Sequence, residues 1–152
     1  MAVEVQIKIK NLKEIKSAFH KAPALMTKNL NEAIRQTIFF VESRAVSNAP
    51  ARTARLRGSA YRDFQPLRGE VGFKAFYALY VHEGTKAHLI LPSKKKALFW
   101  KGAAHPMRAV RHPGTKANPF LRKAIEQSEK NIDKFFEQAV ENTLNTIAKE
   151  SN

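Results

Sequence analysis

The chain has 152 residues, no cysteine, and 27 Lys and Arg against 13 Asp and Glu, a net charge of +14. Without thiols, neither a disulfide framework nor a thiolate zinc site can form, and no run approaches the ~18 consecutive apolar residues of a membrane span. One domain is expected, large enough to bury roughly 68–70% of its unfolded surface without staples, and a soluble cytoplasmic product, since MAVEVQIKIK lacks the apolar core of a signal peptide.

The charge is unevenly placed. Met1 to Ser47 holds 8 basic and 4 acidic residues, Asn48 to Asn118 holds 14 and 3, and Pro119 to Asn152 holds 5 and 6. A cationic middle attracts polyanions, nucleic acid above all, and repels copies of itself unless something screens it.

Val3, Val5, Ile7 and Ile9 alternate with Glu4, Gln6, Lys8 and Lys10, the period of a half-buried strand. Asn11 with Glu14 resembles a capping box, and Leu12, Ile15, Ala18 and Phe19 then mark a short helix predicted to end near Lys21, ahead of Pro23. Pro23 suits the first turn of a second helix carrying Met26, Leu30, Ala33, Ile34, Thr37, Val41 and Ala45. Ile38, Phe39 and Phe40 widen its stripe, which predicts cover on more than one side. Ser47, Asn48 and Pro50 mark its stop.

Asn48 to Phe64 sets Arg52, Arg55, Arg57 and Arg62 among small residues, as an exposed loop leading into an edge strand would. Arg68-Gly69 reads as a turn between two short strands, the second being Glu70 to Phe73. Tyr77 to Thr85, YALYVHEGT, is dense in aromatics, and Gly84 permits the positive torsion that closes it. His88 to Pro92 and Ala97 to Trp100 are two apolar runs separated by Ser93, Lys94, Lys95 and Lys96, a pattern that predicts a β-hairpin with a cationic tip. Lys101-Gly102 turns the chain again, and Met107 to Arg111 suits a further short strand.

Asn118-Pro119 is a helix start, with proline at the position where no donor is lost. Phe120, Leu121, Ala124, Ile125, Ser128, Ile132, Phe135, Phe136, Ala139, Val140, Thr143, Leu144 and Ile147 then follow at helical spacing. This predicts an amphipathic helix from Pro119 to about Lys149, roughly 46 Å at 1.5 Å per residue. Such a length suggests surplus apolar surface for a second protomer, with Phe120, Leu121, Ile132, Phe135, Phe136 and Val140 as core or interface anchors.

Little here composes a catalytic constellation. There is no cysteine nucleophile and no Gly-rich phosphate loop, and Asp63, Glu70 and Glu83 are the only carboxylates of the middle segment. His82-Glu83 lacks the second histidine of a metalloprotease helix, because Lys86 stands four residues after His82 and His88 six. His105 and His112, each beside a proline, read as structural or solvated loop residues.

Three blocks, in order, resemble a known family. Asn48 to Ser59, NAPARTARLRGS, is similar to the NAP-x-x-T-G-x-L-R-x-S block of the tail-component family of long-tailed bacteriophages and prophages. Tyr77 to Thr85 is similar to its YA-x-x-x-E-x-GT block, and His112 to Ala124, HPGTKANPFLRKA, to its HPGT-x-x-x-PFLRPA block. The matching positions are Asn48, Pro50, Tyr77, Glu83, Gly84, Thr85, Pro119 and Phe120. Ala54 departs from the family's usual glycine and Lys123 from its frequent proline.

The resemblance implies a small α+β fold and a non-enzymatic structural protein of the neck or tail-completion region, carried in the virion at the head–tail junction. It implies no cofactor, no membrane and no small-molecule substrate; the partners would be other neck and tail proteins, further copies in a ring, and phage DNA. The expected architecture is one domain, 1–152, in which a small, mostly antiparallel sheet packs against two or three helices, the last one long. Arg52, Arg55, Arg57, Arg62, Lys94, Lys95 and Lys96 would face DNA or an acidic partner ring. Two rival readings are a basic nucleic-acid-binding module with no virion role, and a small toxin-type ribonuclease built on His82 and Glu83.

Overall fold

The computed structural model describes residues 12–51, 54–93 and 96–150. The alternating segment Val3–Ile9, Asn11 with the side chain of Glu14, and Arg52, Lys94 and Lys95 lie outside the described residues. Helix α1 spans Leu12–Asn48 and helix α3 spans Phe120–Glu150. Between them come strands β1 (Ala60–Gln65) and β2 (Arg68–Phe73), helix α2 (Ala78–Glu83), and strands β3 (His88–Ile90) and β4 (Val110–His112). The fold is α+β, with two separate two-stranded antiparallel sheets, β1-β2 and β3-β4. Among the described residues no helix is long and apolar enough to cross a membrane.

α1 and α3 lie side by side in opposite directions. Lys21 pairs with Glu150 at 3.2 Å, the Asn29 amide donates to Thr143 Oγ1 at 2.8 Å, Phe40 meets Phe135 edge-on at 6.1 Å, and the Asn48 amide donates to Gln127 at 3.0 Å. The buried residues along this seam are mostly small: Ala18, Ala33, Val41 and Ala45 on α1, and Ala124, Ser128, Ala139 and Thr143 on α3. Ser128 and Thr143 donate their hydroxyls to the carbonyls of Ala124 and Ala139, so neither hydroxyl is buried without a partner.

Helix α1 runs through Pro23, where two helices were predicted. Proline's torsion is itself helical, and its penalties are one lost hydrogen bond and crowding of the turn before it. Contact with α3 continues on both sides of the proline, at Lys21 before it and at Met26 and Asn29 after it, and holds Ala22 helical against its local preference.

The expected double cover of α1 is present. Val41 and Ala45 pack with Ala124 of α3 and with Val71 and Phe73 of β2. The turn predicted at Arg68-Gly69 falls instead at Pro66-Leu67, with Leu67 at φ +56° and its N–H bonded to Asn31 Oδ1 at 2.7 Å. Proline fixes the first torsion, and the Asn31 bond secures the left-handed residue that follows. Gly69 is then a strand residue chosen for proximity: a Cβ there would stand 2.6 Å from Ile38 Cγ1. Gly72 serves in the same way, covered by the ring of its cross-strand partner Tyr61. The Tyr61 hydroxyl donates to Glu70, whose negative charge pushes the phenol above its usual range.

The predicted hairpin between 88–92 and 97–100 is not formed. β3 pairs with β4, as His88↔His112, Leu89↔Arg111 and Ile90↔Val110, and the 97–100 run touches Met107 through Leu98 alone. At its base Thr85 and Thr115 are bridged, which sets the two strands side by side. The predicted turn at Lys101-Gly102 is present, with Gly102 at φ +101°.

α3 is as long as predicted, yet it has no surplus length, because α1 matches it end to end. The surplus lies in width. Phe120, Ala124, Ser128, Ala139 and Thr143 are buried, while Ile125, Val140 and Leu144, from the same stripe, stay exposed.

Phe120 has no exposed surface and meets Phe73 edge-on at 4.9 Å. Phe120→Ala is therefore expected to lower the unfolding free energy by about 3–5 kcal/mol in a urea titration. Gly69→Ala should lower it by about 1–3 kcal/mol, because Ile34 and Ile38 must give way. An unchanged midpoint in either titration would contradict the packing described.

Candidate functional site

The C-terminal end of α1 is closed by Arg57. Its Nε donates to the Ala49 carbonyl at 2.8 Å and its terminal nitrogen to the Ser47 carbonyl at 3.0 Å, meeting carbonyls the helix leaves free. These bonds hold Arg57 against the helix end, next to Leu56, which is buried beside Ala49 and Phe120. Ala54 sits in this loop at φ +53°, the left-handed torsion that glycine adopts without steric penalty.

The second and third blocks cross each other. Gly84 ends α2 at φ +75° and Gly114 precedes the bridge at φ +93°. Thr85 and Thr115 exchange both backbone hydrogen bonds, at 2.9 and 3.0 Å, and Asn118 N–H donates to the Val81 carbonyl at 3.0 Å. A Cβ on Gly84 would lie 2.6 Å from the Thr115 carbonyl oxygen, and one on Gly114 would collide with the Thr85 carbonyl oxygen. The two Gly-Thr pairs thus hold two loops in backbone contact and deliver Pro119 to the start of α3, where its carbonyl accepts from Lys123 N–H at 3.0 Å.

The three blocks, far apart in the chain, meet around one open cleft of about 960 Å³. Pro50, Arg55 and Leu56 come from the first, Tyr77 and Val81 from the second, Thr115, Lys116 and Asn118 from the third. Arg55 and Lys116 are exposed at it, while Leu56 forms a buried part of its wall. Two cations and several hydrogen-bonding groups over an apolar floor suit an anionic partner group.

The other expected contact residues divide. Arg62 is engaged with α1, bonded to Glu42 at 3.1 Å and lying 4.5 Å from the centroid of the Phe39 ring. Arg57 is the helix clamp just described. Lys96 is exposed. Of the expected anchors, Phe120 is core; Leu121, Ile132, Phe135 and Phe136 are half-buried, and Val140 is exposed. Lys116, Thr115 and Asn118 were not among the expected site residues; the repeated Gly-Thr pair, Gly84-Thr85 and Gly114-Thr115, is the sequence signal that marks their loop.

His82 is not at the cleft. Its Nδ1 bonds Glu83 at 2.6 Å, its ring edge meets Phe120 at 5.4 Å, and its Nε2 is buried without a partner. Against the Glu83 carboxylate, Nδ1 is the donor of this bond. His88 and His112 stack at 5.0 Å. His112 Nδ1 accepts from Gly114 N–H, so its proton sits on Nε2 and that nitrogen has no lone pair to offer a metal. Among the described residues no group of three or more His, Asp or Glu side chains is placed to hold a metal ion.

Gly114→Ala is expected to destabilise by about 2–4 kcal/mol through torsional strain and a backbone collision. Ala54→Gly should raise stability by about 1 kcal/mol by relieving the left-handed alanine. Urea midpoints moving the opposite way would refute these torsions. No family model matches the chain, and neither a curated protein nor a solved structure matches it, so the cleft is defined by the meeting of its own three blocks.

Proposed function

We propose that this chain is a structural protein of the head–tail junction of a long-tailed phage or prophage, working in neck formation or tail completion through oligomeric protein contacts. The observation that carries this reading is the convergence of the three family-like blocks on one cleft. Segments that resemble a tail-component family singly, as a proline turn, a glycine turn and a helix start, act here as one unit. Their shared positions have interlocking tasks: Asn48 ties α1 to α3, Gly84 and Thr85 cross the third block, and Phe120 fills the space beneath.

Arg55 and Lys116 would meet an acidic group of a neighbouring neck protein or a DNA phosphate. The nucleic-acid-binding reading keeps one observation in its favour. From Gly84 to Ile125 the sequence holds ten Lys and Arg and no Asp or Glu. The ribonuclease reading is less favoured, since the Nε2 of His82 is buried rather than open to a substrate.

Deleting the gene should yield filled heads and separate tails that do not join, seen by negative-stain microscopy. Complementation with Arg55→Glu and Lys116→Glu together should restore fewer than one infectious particle in ten, although both residues are exposed and folding is preserved. Normal virions from the deletion would sink the reading; full complementation by the double variant would remove the cleft from it.

A further inference from the structure

Helix α3 carries a second apolar surface, on the side not covered by α1. Phe136, Val140 and Leu144, four residues apart, form the floor of a shallow groove of about 570 Å³, and Asp133, Glu137 and Glu141, at the same spacing, form its edge. Val140 is 40% and Leu144 58% exposed, and the groove lining holds no cation. This is an apolar floor with three negative charges along it, on a protein whose net charge is +14.

The ribbon β3-β4 and the loop it carries have the opposite character. The ribbon makes only slight contact with the other named elements, and β3 is exposed along its whole length. Leu89, Leu91, Phe99 and Trp100 stand 47–69% exposed, surrounded by Lys and Arg without an acidic neighbour in the sequence. A lone two-stranded ribbon is marginal in water, and large apolar side chains on it require a covering surface.

We propose that the acid-edged groove of α3 seats the basic ribbon of a second copy of this chain. The inference rests on the oligomeric part of the reading above and identifies the two surfaces that meet. Like surfaces do not pair: groove on groove sets carboxylates against carboxylates, and ribbon on ribbon sets cations against cations. Groove on ribbon removes both repulsions and covers both apolar patches. The ribbon fits within the groove, which runs about 12 Å from Phe136 to Leu144 along the helix, against about 7 Å from His88 to Ile90 along the paired strand. Because the two patches differ, the contact is head-to-tail and repeats from copy to copy, closing into a ring or continuing as a chain.

The test uses two variants of the full chain, measured by size exclusion with light scattering, with thermal melting as the control for folding. Val140→Asp with Leu144→Asp spoils the groove; Leu89→Ser with Trp100→Ser spoils the ribbon. The wild type is expected to be oligomeric and each variant monomeric. An equimolar mixture of the variants should give a dimer and nothing larger, since one good groove meets one good ribbon and neither remaining surface can extend the chain. A monomeric wild type at all concentrations, variants that keep the wild-type mass, or a mixture that stays monomeric would each overturn the proposal. An oligomer indifferent to both variants would overturn it while leaving the ring reading in place. A ribbon variant that keeps its mass but loses salt-sensitive retention on double-stranded DNA would assign the ribbon to DNA instead.

Discussion

The seam of small residues between α1 and α3 is the constraint on which the rest of this structure depends. Alanines at 18, 33, 45, 124 and 139, with Val41, Ser128 and Thr143, line the contact between the two long helices, and residues of this size bury little side-chain surface each. The consequence is a narrow seam. Large residues stand at its flanks, as Phe40 and Phe135 do, or beyond it, as Ile125, Val140 and Leu144 do. A seam built from leucines would hold the helices further apart and draw those flanking residues inward.

The seam also decides where the loops can go. α1 and α3 run in opposite directions, so the end of one and the beginning of the other lie together, at Asn48 and Gln127. Everything from residue 49 to residue 119 must leave and return at this end. The helix clamp by Arg57, the crossing of the two Gly-Thr pairs and the burial of Phe120 all serve that return, and the cleft is the space they enclose. Its residues are gathered by topology: three separate connections have to pass one helix junction.

Much of this was legible in the sequence and some was not, for physical reasons. Both long helical stripes, the start at Pro119, the closing torsion of Gly84 and the cover on two sides of α1 follow from periodicity and backbone sterics, which are local. Pro23 was misread because its local preference is weaker than the packing on both sides of it, and Gly69 because close approach and turning favour the same residue. For the ribbon, adjacent apolar runs suggest a hairpin, whereas β3 pairs with a distant strand beside a bridge between residues thirty positions apart. Arg57 and Arg62 looked like free cations, since nothing local reveals that a carbonyl or a carboxylate of α1 faces them. The row Asp133, Glu137 and Glu141 was visible throughout as a spacing of four. It acquires meaning only beside the exposed floor of Phe136, Val140 and Leu144.

Folding and association are consequently carried by different parts of the chain. The seam, β1-β2 and the buried Phe120 form a core that owes little to the ribbon, whose contact with other elements is slight. The ribbon can then carry exposed aromatics and unbroken positive charge without endangering the core, because its apolar surface is not needed there. The same separation makes self-association selective. Helix α3 carries a row of carboxylates along its groove and the 84–125 segment carries cations alone, and a chain so divided finds its complement in the unlike surface of its neighbour. Such a contact leaves one free groove and one free ribbon at the ends of any open assembly, and only ring closure satisfies both.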